Sequence, residues 1–489
     1  MSGWVGFMSM GKKGNRQESQ FVAAASQAKG PRHRFYESLN KLLVGAGFDE
    51  FAEGVCARFY ERPGTAGRPS IPPGVYFRML LVGFFEGIES ERGICWRCAD
   101  SLSLKEFLGF EPYAKTADHS TLSRTRKPLD ESVFEEVFQY VLGIVDAHGL
   151  LKGDVAGVDS TYLRADASMK GIVRRDTGES YKEYLRRLAK DDGLGDLNDE
   201  ELLRFDRKRK GKRASNQEWQ SPVDGDARIM KLKDGRTRLA YKAEHVVDME
   251  TGAILSANLM TATTSDPASL PESLDKAEAN MDRAQEHASD ADASAIDGTG
   301  PTIKEVVADK GYHKAETIKS LKDHNKRTYI PERKQTGKRK WHDKGGRPTA
   351  EAVYQNRSRV KRPKSRALQR RRGELIERTF AHVCETGAHR RTRLRGRGNA
   401  NKRYLLEVAA TNLALVMPKT LGVGVGTPRG LADAARALRA RFYGLLACRV
   451  ALWQSSFPQN PYSGPISLAI GPTSQSAQRP SKTGSSTGC

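Results

Sequence analysis

With 489 residues, 38% of them hydrophobic, the chain has material for two or three domains and a sizeable core. Its 81 Lys and Arg against 59 Asp and Glu leave a formal charge of +22, which predicts salt-sensitive attraction to a polyanion, nucleic acid before all others. No stretch reaches the roughly 18 to 20 apolar residues that span a bilayer, and the start, MSGWVGFMSMGKKGN, lacks the regions of a signal peptide, so a cytoplasmic, nucleoid-associated protein is expected.

Residues 1 to 30 carry few periodic apolar positions and read as a loose arm. From Arg32 to about Gly149 the pattern is helical. Phe35, Leu39, Leu42 and Leu43 recur at helical spacing, and VYFRMLLVGFFEGI reads as a buried helix after the turn-rich RPGTAGRPSIPPG. KEFLGF and ESVFEEVFQYVLGIVDAHGL supply two more helices. Between them, in DHSTLSRTRKPLD, Asp118 or Ser120 caps a short helix presenting Ser123, Arg124, Arg126 and Lys127. Six cysteines are scattered along the chain, and the single Cys-x2-Cys pair is incomplete for zinc, so Cys95 and Cys98 read as neighbours on a packed helix.

After Gly149 the grammar changes. LKGDVAGVDSTYLRA reads as a short strand ending near Asp159, followed by a long polar section. In that section RFDRKRKGKR sets seven basic residues against one acid, as a solvated loop or a phosphate-contacting insertion would. TRLAYKAEHVVDMETGAILSANLM reads as a hairpin turning at Glu250, Thr251 and Gly252, with His245 and Asp248 as exposed polar residues or as a hydrogen-bonding support for a site. A helix follows in ASLPESLDKAEANMDRAQEHA, then a loose Asp/Ala/Ser/Gly segment to residue 300. TIKEVVADKGYHKAETIKSLKDHNKRTYIPERK reads as strand, turn, helix, strand. Residues 333 to 373 are polar and basic, helices resume in ELIERTFAHVCETG, NKRYLLEVAATNLALVM and LADAARALRARFYGLLACRVAL, and a Ser/Pro/Gly-rich tail closes the chain. The division expected is an arm over 1–30, a helical DNA-binding domain over 31–150, an α/β domain over 151–416, and a helix with tail over 417–489.

Three acids stand out because apolar residues flank them: Asp159 in DVAGVDSTYLRAD, Asp309 in IKEVVADKGYHK, and Glu377 in GELIERTFAHV. An acid beside core positions is costly unless a cation compensates it, and Mg2+ or Mn2+ favours such hard oxygens while reaching toward substrate phosphates. Taken singly, each acid is equally well a turn cap or a surface helix residue.

The pieces DHSTLSRTRK, AGVDSTYLRADAS, AYKAEHVVDMETGAI, VVADKGYHKAET and GELIERTFAHVCETGAHRRTRLRG resemble a DDE-type transposase of bacterial insertion sequences, and they run from about residue 35 to residue 416. That resemblance implies an α/β, ribonuclease-H-like catalytic domain, a mixed five-stranded sheet flanked by helices, preceded by an all-helical domain. It implies Asp159 on the first strand, Asp309 just after the fourth and Glu377 on a following helix as catalytic, metal-holding acids. It further implies two Mg2+ or Mn2+ ions, double-stranded DNA as substrate and target, and a homodimer or larger assembly on DNA. The Tyr, Arg and Lys that relatives often set around the glutamate are here Arg370, Gly373 and Cys384, which leaves Glu374 and Glu385 as rivals of Glu377.

Between Arg357 and Arg397 fifteen Lys and Arg accompany three acids, as a backbone-binding track would require. The DNA contacts expected are Lys310, Tyr312, Arg371, Arg372, Arg378, Arg390, Arg391, Arg393 and Arg395, with Ser123, Arg124, Arg126 and Lys127 in the helical part. A metal-dependent nuclease without strand transfer shares the acids and the charge; a non-enzymatic DNA-binding protein shares the charge alone.

Overall fold

The computed structural model describes residues 8–9, 33–61, 70–210, 214–232, 234–289, 302–333, 346–422, 424 and 426–455. Most of the expected N-terminal arm, the Asp/Ala/Ser/Gly segment from 290 to 300, and the tail beyond 455 lie outside the described residues. The chain divides into two compact units, residues 1–432 and 433–489.

Strand β1 (Met8–Ser9) pairs in parallel with β2 (Tyr60–Glu61), and seven helices fill the first part: α1 (Arg34–Gly45), α2 (Phe48–Cys56), α3 (Pro73–Glu86), α4 (Glu91–Asp100), α5 (Leu102–Leu108), α6 (His119–Arg126) and α7 (Glu131–Ala147). Helix α1 buries Phe35, Leu39, Leu42 and Leu43, the residues whose spacing predicts it. Helix α3 is buried all round; Pro73 starts it, and Gly87, at φ 68°, ends it in a conformation that a side chain disfavours. Ser90, Ser101 and Asp118 cap α4, α5 and α6 with their side chains. Arg78 of α3 is fully buried, yet its guanidinium meets both Asp49 oxygens, at 2.7 and 2.9 Å, and also Asn40. Such a pair survives in a dry core only because its donors are matched.

The second part opens with β3 (Val155–Arg164), then β4 (Val173–Arg174), α8 (Tyr181–Asp191), α9 (Asp199–Lys208), β5 (Trp219–Gln220) and β6 (Arg228–Lys231). The long strand β7 (Thr237–Asp248) turns into β8 (Ile254–Thr261), and α10 (Asp266–Ser289), β9 (Glu305–Ala308), α11 (Ala315–Asp323) and β10 (Arg327–Tyr329) follow. Helices α12 (Gly346–Val360), α13 (Pro363–Ala381), α14 (Arg397–Leu421) and α15 (Pro428–Ser455) complete the described chain. The sheet runs β8-β7-β3-β9-β10, with β6 added to the first half of β7. β3 is antiparallel to β7 and parallel to β9, so five strands make the mixed ribonuclease-H-like sheet that the resemblance implies, behind an all-helical part.

Two expectations change. Asp159 lies in the middle of β3 rather than at its end, because pairing with β7 carries the strand on to Arg164 opposite Ala240. The polar section after β3 is structured: α8 and α9 both start at capping boxes, Ser180 with Glu183 and Asn198 with Glu201, and share a small core of Leu185, Ala189 and Leu202. Only Lys212 and its two neighbours in the RFDRKRKGKR run lie outside the described residues.

At each side of the sheet an asparagine binds the backbone of one residue. Asn412 of α14 bonds the N–H and carbonyl of Ile254 on β8, and Asn356 of α12 does the same for Ile330 after β10. Exposed strand edges invite pairing with other chains, and these side chains occupy the groups that such pairing would use. Helix α14 also packs against α1, α3 and α7, so one hydrophobic core runs from Phe35 to Leu421.

Candidate active site

Strand register brings Asp159 and Asp309 together. Val158 of β3 pairs with Ala308, the last residue of the parallel strand β9, so the two acids follow at the same level on neighbouring strands. Asp309 follows the strand and caps the 3-10 turn Lys310–Tyr312, accepting the Gly311 N–H at 2.6 Å. Asp159 accepts the Ser160 N–H at 2.8 Å on one oxygen and the Arg372 guanidinium at 2.7 Å on the other. Burial pushes the Asp159 carboxyl above the usual carboxylate range and the Asp309 charge adds to that, against the pull of Arg372 and the Ser160 N–H.

Arg372 belongs to α13, which crosses the sheet. Its Gln369 donates to the carbonyls of Ala308 and Tyr329, at 3.0 and 2.7 Å. Farther along, Arg372 and Ile376 lie against Gly157, where a Cβ would come within 3.3 Å of both. The candidates for the third acid lie on this helix or just beyond it, and all three are exposed. Glu374 is paired with Arg378 at 2.7 Å, and Glu385, in the π-helical turn His382–Thr386, with Arg390 at 2.5 Å. Glu377 stands three residues before Phe380, whose ring stacks on His245 at 4.2 Å between centroids. His245 is the cross-strand partner of Asp159.

His245 and Asp248 are not exposed hairpin residues; both are fully buried. His245 bridges Thr379 of α13, at 3.0 Å from Nδ1, and the Tyr404 hydroxyl of α14, at 2.6 Å from Nε2. Burial lowers its pKa to about 3, so the ring is neutral. Asp248 accepts the N–H groups of Lys152, Gly153 and Glu250 and the Thr251 hydroxyl, which ties the hairpin turn to the start of β3. The reason lies in the sheet: β7 is covered on both faces, so its polar side chains meet helices rather than water.

Behind the acids, on the α10 side, lies a buried network that the motifs did not single out. Lys242 and Glu244 of β7 are 3.2 Å apart, and Lys242 reaches Asp266 at 2.8 Å. Glu244 accepts the hydroxyls of Ser269, Ser273 and Tyr312. The signal for it was present: Lys242 and Glu244 alternate with apolar residues on one face of a strand that has no wet face. Tyr312, expected beside DNA, is fully buried with its hydroxyl on Glu244, and that burial raises its pKa well above the ordinary value.

Residues 25–128 match the family model described as a transposase domain (DUF772), and residues 202–413 match the transposase DDE domain, a span holding Asp309 and Glu377 and beginning downstream of Asp159. The chain belongs to the DDE-type transposases. The transposase is therefore an enzyme of the polynucleotidyl transferase class, and its catalysis is of the metal-dependent DDE kind. No curated protein and no solved structure matches the chain.

Among the described residues of the transposase, no three His, Cys, Asp or Glu side chains converge to hold an ion by themselves. The pair Asp159 and Asp309 does fit a hard divalent cation. Two hard oxygen donors lie at one level, and the desolvated one already draws a positive group, Arg372. Mg2+ is commonly held by one or two carboxylates, with water and substrate phosphate completing its shell.

The expected DNA contacts fall into two groups. Arg124, Lys127, Lys310 and Arg371 are exposed, Arg378 and Arg390 are exposed but ion-paired with Glu374 and Glu385, and Ser123 is half-buried. Arg126 is tied to Glu91, Arg391 and Arg395 to Asp166, and Arg393 to Glu89. Among the described residues, no helix is long and apolar enough to cross a membrane.

Proposed function

We propose that the transposase cuts DNA strands at the ends of its element and joins the freed 3′-hydroxyl to target DNA, using Asp159, Asp309 and Glu377. The observation that carries this reading is that Asp159 and Asp309 directly follow the paired residues Val158 and Ala308 of adjacent parallel strands, with an arginine already drawn to the half-buried Asp159. Glu377 is preferred as the third acid because its rivals are engaged in ion pairs and it stands a turn from the residue stacked on the partner of Asp159.

Asp159 and Asp309 would hold Mg2+ or Mn2+, two ions when DNA completes the shell. Such an ion supplies Lewis acidity, activating a water or 3′-hydroxyl and stabilising the leaving oxygen of an in-line displacement. Asp309 is kept at its post by the Gly311 N–H, and α13 is held over the strand ends by Gln369. Lys310, Arg371, Arg378, Arg390, Arg391, Arg393 and Arg395 would hold the DNA backbone, contacts that position without reading sequence. Residues 31–150 form the end-binding domain in this reading, through Ser123, Arg124 and Lys127, and residues 151–416 the catalytic one; the active form is a dimer or larger assembly on paired ends.

Labelled duplexes carrying the element's ends, incubated with a target plasmid in Mg2+, test the proposal. Joined products that vanish in Asp159→Asn, Asp309→Asn and Glu377→Gln are expected. Nicked ends without any joined product would reduce the function to that of a nuclease.

A further inference from the structure

The group occupying the cation position at Asp159 is a side chain of the protein itself. Arg372 places Nη1 at 2.7 Å from Asp159 Oδ2 and 3.5 Å from the Val158 carbonyl, while its Nε donates to Gln369 at 3.2 Å. Its stem crosses Gly157, where any Cβ would stand 3.3 Å from Arg372 Cγ and 2.6 Å from the Met249 sulfur, so the glycine makes the passage. With the Ser160 N–H on the other oxygen, both Asp159 oxygens are engaged. A divalent ion on Asp159 and Asp309 competes with this guanidinium, since two cations at one carboxylate repel.

We propose that Arg372 is a resident counter-cation that is exchanged for the metal: it neutralises Asp159 before the ion arrives, and once displaced its guanidinium becomes a ligand for a DNA backbone phosphate beside the scissile bond. This rests on Asp159 and Asp309 being metal ligands. Three features support it. Asp159 is half-buried beside a second acid and would be costly to leave bare. Arg372 is not sealed in, because its side chain keeps 13% exposure. A guanidinium is also the side chain best matched to phosphate, through its forked donors. Metal and DNA are then linked through one residue: each removes the other's competitor, so each raises the other's affinity by the same factor.

The test is Mn2+ binding to the full chain by calorimetry, with and without a duplex of about 25 base pairs, in wild type, Arg372→Gln and Arg372→Lys. Arg372→Gln is expected to bind Mn2+ roughly 10-fold more tightly than wild type without DNA, a gain of about 1.4 kcal/mol. DNA should tighten Mn2+ binding more in wild type than in Arg372→Gln, because phosphate completes the metal's shell in both and the exchange operates only in wild type. Arg372→Lys, which keeps the charge and loses the fork, should fall between them and guards against a folding defect in the glutamine variant. Equal Mn2+ affinity in wild type and Arg372→Gln, or an unchanged effect of DNA in the variant, overturns the exchange. Asp309→Asn separates the two levels of the argument: Mn2+ binding that is insensitive to it defeats the metal-ligand reading itself, and the exchange with it.

Discussion

The two faces of the central sheet do opposite things with polar residues. On the α10 face, Lys242, Glu244, Ser269, Ser273 and Tyr312 are dry, and each meets a partner. On the α13 face, Asp159 keeps 31% exposure and its cation is a single arginine, Asp309 is half-exposed, and Glu374, Glu377 and Glu385 are exposed. A satisfied buried network has one arrangement and holds the strands in it, whereas a half-exposed pair of charges can exchange partners. Rigidity behind the site and exchangeability in front of it are what a reaction on a large, entering substrate requires.

The largest effects should come from the front face. Asp159→Asn and Asp309→Asn should each lower end cleavage by roughly 10³-fold while leaving DNA affinity in a shift assay near wild type. Retained cleavage would move the chemistry away from these strand ends. On the back face the cost should appear as stability. Lys242→Met strands Glu244 and Asp266 without their cation and should cost about 3–5 kcal/mol in urea unfolding. The double variant Lys242→Met/Glu244→Gln should cost less than the sum of its parts, and strict additivity would break the picture of a coupled network.

His245 joins the sheet to α13 and α14. His245→Phe should cost about 1–3 kcal/mol through the unpaired Tyr404 hydroxyl, while Thr379 keeps its bond to the Ile376 carbonyl. It should also flatten the acid limb of stability. Burial depresses the folded-state pKa of His245 to about 3, so its contribution is complete above the ordinary histidine pKa of about 6.5 and is lost as pH falls toward 3. Melting curves across that window check this, and an unchanged pH slope would mean that the ring is not held neutral. The smallest effects belong to the rim. Arg390→Ala and Arg393→Ala should each make the salt dependence of DNA binding shallower by about one phosphate contact. An unchanged slope would confine those arginines to their ion pairs with Glu385 and Glu89.

Much of this was legible in the sequence because it depends on local pattern. The stripe of α1, the Asp118 cap of α6, the turn at Gly252 and the strand leading to Asp309 all announce themselves within a dozen residues. The resemblance supplied what spacing does not, the convergence of β3 and β9 across the chain. What stayed hidden depends on tertiary cover. His245 and Asp248 look like hairpin polars until α13 and α14 lie over them, and Tyr312 looks available until α10 and Glu244 close on it. Helix α12 and the first half of α13 were obscured because their sequence is polar and basic with few apolar positions; a few residues, Ala352, Val353, Asn356 and Ser365, face inward and hold them.

The most direct measurement replaces a ligand atom and changes the metal. Asp309→Cys should be silent in cleavage of element-end DNA with Mg2+ and should recover measurable activity with Mn2+, since a thiolate accepts the softer ion and rejects the harder one. Equal activity of that variant in both metals, or none in either while Asp309→Ala still cleaves, would contradict the assignment of Asp309 to the metal.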